Sequence, residues 1–248
     1  MTEFNLWIPK AELSGSILVT GFRGFGMVGY LLTKYAAQAL GAEKIGYIVP
    51  SGDMPPMVII EDDGPAFPYE VYYSRDHGVL FILNRAMPDR DEWTSYAEGI
   101  AAFSSEIGVR LAVLAGGLSK EFMPSEDKFG YRWISNRYAA LAGVSLKAPQ
   151  MEEGLGVMGP LATLYIFMDY YRVPAIILLP YSMVEEVDYG AVLIGLKVLS
   201  DEILGVKVEA PALEEAAEKQ KALLMKLAER LEAGEETPKH RDTGMFYM

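Results

Sequence analysis

The stretch Gly21-Phe22-Arg23-Gly24-Phe25-Gly26-Met27-Val28-Gly29 carries the strongest chemical signature in the chain. Its Gly24-x-Gly26-x-x-Gly29 spacing satisfies the dinucleotide fingerprint, in which glycines let backbone amides approach a pyrophosphate at a helix N-terminus. The acid that would meet a ribose is Asp53, which falls in a Ser-Gly-Asp-Met-Pro-Pro loop instead of at a clear strand end. The glycines are therefore read first as a close strand-helix crossing that leaves no room for a side chain. Gly24, Gly26 and Gly29 stay as secondary cofactor candidates, and no cofactor is expected. Ala115-Gly116-Gly117-Leu118 is a second glycine turn after a strand, able to hold an anion but more simply a turn requiring positive φ.

Other reactive groups are scattered. The two histidines, His77 in a hairpin-like turn and His240 near the end, have no triad partner close in sequence. Glu61-Asp62-Asp63 and Glu152-Glu153 have the charge for a hard cation, but such runs are usually solvated loops. Ser182 follows Pro180-Tyr181 without a nucleophile elbow. With no cysteine, thiolate metal sites, disulfides and cysteine nucleophiles are excluded. These residues assemble no catalytic or metal-binding constellation, so no enzyme is expected.

Recognition chemistry is concentrated elsewhere, in Phe246-Tyr247-Met248. A hydrophobic residue, a tyrosine and a last residue with its carboxylate sit at the end of the polar stretch Gly234 to Gly244. The phenol offers rigid apolar area with a hydrogen-bonding tip, and the carboxylate can pair with a lysine or with amides in a receptor. Such a tether is either a ligand for another protein's pocket or a tail that folds back over its own domain.

Strands and helices alternate along the chain, the pattern of an α/β domain. Ser16 to Thr20, Lys44 to Val49, Met57 to Glu61, Tyr69 to Ser74, Gly78 to Leu83, Arg110 to Ala115 and Ala175 to Leu179 read as strands. Tyr30 to Leu40, Asp91 to Ile107, Asn136 to Ala142, Leu161 to Tyr171 and Tyr189 to Leu204 read as helices. Asp76-His77-Gly78 is a hairpin signal, so the sheet is expected to be mixed, with helices on both faces. Ala212 to Glu232 is an amphipathic helix in which Leu213, Ala216, Ala217, Leu223, Leu224, Leu227 and Leu231 recur at helical spacing. Pro211 opens it and Gly234 follows its end. The expected organisation is a core over 1–210, this helix over 211–234 and a tail over 235–248.

Composition narrows the function classes. Hydrophobic residues make up 51% of 248, an apolar balance that points to surface buried between copies. The net charge of −12 argues against binding nucleic acid or an anionic membrane. Ala162 to Pro180 has the length of a membrane span, but Asp169, Arg172 and Pro174 break it into a helix and a strand. No basic region leads into an apolar run at Met1 to Trp7, so no secretory leader is expected.

Taken in order, these segments resemble the archaeal and bacterial proteasome-assembly-chaperone family, prokaryotic relatives of the eukaryotic proteasome assembly chaperones. The matching segments are the Gly21 to Gly29 loop with its helix, Met54-Pro55-Pro56, and Val113-Leu114-Ala115-Gly116-Gly117. Gly154-Leu155-Gly156-Val157-Met158-Gly159-Pro160 and Val187-Asp188-Tyr189-Gly190-Ala191 complete the series, which spans about Ser16 to Gly205. The resemblance implies a mixed-sheet, three-layer α/β/α sandwich similar to nucleoside phosphorylases, and a cytoplasmic homo-oligomer, expected here as a tetramer or pentamer. For some archaeal members it implies ATP-independent binding to the α-ring of the proteasome core particle through a C-terminal hydrophobic-Tyr-X motif. That motif falls on Phe246, Tyr247 and Met248. The resemblance leaves the tail either free or held against its own core.

Overall fold

The computed structural model describes residues 2–61 and 64–232. Asp62, Asp63, Gly234 and the tail with His240, Phe246, Tyr247 and Met248 lie outside these residues, as do the side chains of Leu227 and Leu231. Among the described residues a nine-stranded mixed sheet organises the chain. At its centre β2 (Ile17–Gly21) lies parallel to both β7 (Val79–Asn84) and β8 (Leu111–Ala115), and β11 (Ala175–Ser182) extends the parallel set beyond β8. Antiparallel strands flank this centre. β6 (Tyr69–Ser74), β3 (Glu43–Val49) and β1 (Glu3–Leu6) follow β7 outward, and β10 (Tyr131–Ser135) closes the other edge. The short β9 (Leu118–Ser119) runs beside the end of β11.

Every residue of β2, β8 and β11 is buried, because helices cover both faces and continuous apolar runs are then required. Side chains alternate between the two cores with the period of a strand. Val19, Phe81, Val113 and Ile176 face α1 (Val28–Ala39), α5 (Tyr189–Val198) and the start of α6 (Pro211–Glu232). Leu18, Leu80, Leu114 and Ile177 face α2 (Trp93–Glu106) and α4 (Pro160–Tyr170). The short α3 (Arg137–Leu141) is fastened by Asn136. Its Oδ1 accepts from the amides of Ala139 and Ala175, and its Nδ2 donates to the Val173 carbonyl.

The mixed sheet with helices on both faces agrees with the sequence reading, but several details differ. β1 and β10 carry no strand signal in the sequence. β1 is four residues of alternating exposure, and β10 buries Arg132, a residue that local patterning places outside. Met57 to Glu61 does not join the main sheet: only β4 (Ile59–Glu61) is extended, and it pairs with β5 (Gly64–Ala66) as a separate hairpin. Tyr189 to Leu204 is not a uniform helix, for Leu199–Leu204 winds into a wider π turn that ends on Gly205 at φ 67°. Ala162 to Pro180 divides as expected, with Arg172 in a left-handed conformation between α4 and β11. No helix of the described residues is long and apolar enough to cross a membrane.

Candidate functional site

The carboxyl ends of the parallel strands converge where β2 and β8 depart in opposite directions, the place where open α/β sheets form a crevice. The loop from β2 into α1 turns sharply there. Gly26 takes φ 60° and Met27 takes φ 52°. The amides of Met27 and Val28 donate to the carbonyls of Gly24 and Phe25, so they are spent inside the turn instead of facing a phosphate. Gly29 packs against backbone: a Cβ there would lie 2.4 Å from the Ala115 carbonyl oxygen and 2.8 Å from that of Phe22. Gly21 makes the same close crossing, for a Cβ there would lie 2.6 Å from the Gly29 Cα. Gly26 presses on Ser182 and Asp188, and Gly24 alone faces open space. The fingerprint spacing thus serves strand-helix packing. Asp53 is exposed in a loop whose Gly52 packs on the Glu92 carboxylate ahead of α2.

The second glycine turn requires a correction. Neither Gly116 nor Gly117 has positive φ. They are glycines for want of space: a Cβ on Gly116 would meet Leu161 at 2.7 Å, and one on Gly117 would meet the Phe25 carbonyl oxygen and Ser182 Oγ, each at 2.5 Å. Both glycine loops and the segment Gly156 to Leu161 enclose a cavity of about 400 Å³. Phe22, Phe25, Met87, Trp93, Met158 and Leu161 furnish most of its apolar wall.

Below this crevice, Lys120 Nζ lies 2.6 Å from Asp188 Oδ2. Burial pushes the Asp188 carboxyl up, but that hydrogen bond and the amides of Ala191 and Met183 outweigh it and hold it below its ordinary value. Asp188 caps α5 through the Ala191 amide, so this pair holds the loop ends together. Ser182 Oγ is buried without a hydrogen-bond partner among the described residues.

A second cavity, of about 460 Å³, lies beside α1 and is lined by Lys34, Gln38, Glu61, Tyr72 and Arg85. Arg85 is 1% exposed and donates to both Glu70 and Glu61, the latter at 2.6 Å. Lys44 reaches Glu70 at 2.7 Å and Lys34 reaches Glu61 at 2.9 Å. The hydrogen bond from Arg85 pulls the Glu61 carboxyl down to about 2, against a smaller opposing effect of burial. Each carboxylate is matched by two cations, which locks the β4–β5 hairpin to the sheet. Sequence reading took Glu61 for part of a solvated run; its true partners lie far along the chain. His77 forms a hydrogen bond to Ser74 Oγ across the hairpin turn. Among the described residues no three His, Cys, Asp or Glu side chains gather as a metal site.

α6 leaves the domain in stages. Leu213 is fully buried, and Gln220 clasps the start of α5 by accepting from the Tyr189 amide and donating to the Val187 carbonyl. One turn later Leu223, Leu224 and Met225 are exposed. Among the described side chains of the helix, packing on the core is supplied by the first half, through Leu213 and Gln220.

The PAC2 family model matches residues 18–228. The fold is similar to that of *Pyrococcus furiosus* PbaA, an archaeal homolog of proteasome-assembly chaperone, with TM-score 0.77 and 22% identity over 93% of this chain and 94% of that one. It is similar to *Pyrococcus furiosus* PbaB, an archaeal proteasome activator, with TM-score 0.72 and 21% identity over 92% and 98% of the two chains. A PAC2 family protein from *Streptomyces avermitilis* matches with TM-score 0.67 and 18% identity over 86% and 96%. No curated protein matches the sequence. The family match spans both cores, the glycine loops and most of α6, and on that evidence the chain belongs to the PAC2 family.

Proposed function

We propose that this chain is a non-enzymatic, cytoplasmic homo-oligomer that binds the proteasome core particle, as an ATP-independent activator or an assembly chaperone. The observation that carries the reading is PAC2 membership combined with Phe246-Tyr247-Met248 in the sequence. PbaA and PbaB, whose fold this chain shares, are a proteasome-assembly-chaperone homolog and a proteasome activator. Phe246, Tyr247 and Met248 dock into pockets of the α-ring. The Tyr247 ring wedges between subunits and the Met248 carboxylate pairs with a lysine. Leu223, Leu224 and Met225 on α6 support self-association, since a row of exposed apolar residues gains by burial against another copy. Tails borne on one oligomer then bind together, each raising the effective concentration of the next by roughly a hundredfold or more when the tethers span the pockets.

Co-sedimentation with a proteasome core particle tests the reading. The full chain should pellet with the particle, and a chain lacking the last three residues should not. Tyr247→Ala should lose about 2 kcal/mol per tail, enough across several tails to abolish binding while leaving the oligomer intact. Residues added after Met248 should act similarly by displacing the carboxylate. Undiminished co-sedimentation of the truncated chain would remove the tail from the mechanism, and absence of binding by the full chain would remove the proteasome.

A further inference from the structure

The cavity at the carboxyl ends of β2 and β8 has the construction of a ligand site. Its volume of about 400 Å³ suits a small molecule. Three aromatic rings, those of Phe22, Phe25 and Trp93, share the wall with the thioethers of Met87 and Met158. Thioether sulfur packs favourably on aromatic rings, so this lining favours a flat π-system. Gly156 and Gly159 expose bare backbone along the wall, against which such a ring can lie closely.

The polar side of the wall is equally selective. Among the described residues lining the cavity there is no carboxylate, hydroxyl or amide side chain. A cation would find no counter-charge there, and sugar hydroxyls would lose water without a side-chain partner. Among the described residues Arg23 is the one charged side chain of the wall, and its guanidinium stacks on the Tyr30 ring, 5.0 Å from the centroid. Among the described residues it makes no ion pair with a carboxylate. We infer that this cavity binds a small aromatic monoanion, its ring between Phe25, Trp93 and the glycine backbone and its anionic group at Arg23. One of the loops that form it carries the glycine spacing of a nucleotide fingerprint, yet the site they build selects against a ribose.

The test uses the full chain and two dyes, without any proteasome: 1-anilinonaphthalene-8-sulfonate, an aromatic monoanion, and N-phenyl-1-naphthylamine, its uncharged analogue. The sulfonate dye should bind saturably with one site per chain and receive excitation energy from tryptophan, and Trp93→Phe should remove most of that transfer. Arg23→Gln should weaken the sulfonate dye by about three- to fivefold, the factor for a partly exposed ion pair, and leave the neutral dye unchanged. Phe25→Glu and Met158→Glu alter exposed parts of the wall, so the fold should survive and circular dichroism checks that it does. Each should weaken both dyes by about tenfold through lost apolar contact and an uncompensated charge. Leu224→Glu, on α6, should change neither dye. The inference is overturned if neither dye binds, if Leu224→Glu abolishes binding, or if the folded Phe25 and Met158 variants bind as the parent does. Equal weakening of both dyes by Arg23→Gln would overturn the assignment of the anionic group.

Discussion

Arg85 holds a full positive charge at 1% exposure, with Glu70 wholly buried beside it. Two lysines reach the same carboxylates from the rim, so the group is a network and not a lone pair. Arg85→Met should destabilise the fold by about 3 kcal/mol, because it removes the arginine that pairs with the buried Glu70 side chain. Urea unfolding at neutral pH measures this. The same network sets an acid dependence. Glu61 is drawn from an ordinary 4.5 to about 2, so between those values the unfolded chain binds more protons than the folded one. Its contribution is fully present above about pH 4.5 and fades as pH falls toward 2. In Glu61→Gln, stability should be lower at pH 7, and the part of its decline that falls in this window should be smaller than in the parent. Paired urea titrations at pH 7 and pH 3 check both statements.

The crossing of β2, α1 and β8 depends on missing side chains. A Cβ at Gly29 would stand 2.4 Å from the Ala115 carbonyl oxygen, and the obstacle is backbone that cannot rotate away. Gly29→Ala should therefore cost about 2–3 kcal/mol, an overpacking penalty, although alanine favours a helix. Thermal unfolding measures it. Gly24→Ala meets nothing within 4 Å and has no positive φ, so its melting temperature should stay within a degree or two of the parent. The two glycines of one motif thus have different jobs, one packing the fold and one bordering the cavity.

α6 is the last element among the described residues. Its first half is anchored by Leu213 and Gln220, while Leu223, Leu224 and Met225 remain uncovered on this single chain. Light scattering at micromolar concentration should show a homo-oligomer, with four or five copies expected. Leu224→Glu should shift it toward monomer without unfolding the domain, since that side chain is exposed and not a buried core residue. A monomer in the parent protein would remove the multivalency on which tail docking depends.

Much of the architecture was legible from the chain because it follows from local periodicity. Ser16 to Thr20 and Arg110 to Ala115 are short, mostly apolar β runs, Tyr30 to Leu40 and Ala212 to Glu232 repeat at helical spacing, and Asp76-His77-Gly78 marks the hairpin. The order of the glycine segments along the chain also carries the family resemblance. The edge strands β1 and β10 were not legible, since a strand flanking a sheet needs only a neighbour's backbone and leaves a faint pattern. Gly116 and Gly117 looked like a turn because a sequence shows that a side chain is missing but not what occupies its space. The Arg85 network joins residues 15 and 24 positions apart, and the cavity wall draws on segments spread from Phe22 to Leu179. The sequence by itself determined which segments are strands, which are helices and which faces seek burial, because those depend on neighbours a few residues away. Only the tertiary structure decided which charges meet and which glycines pack or border the cavity, because those depend on distances that exist once the sheet has formed.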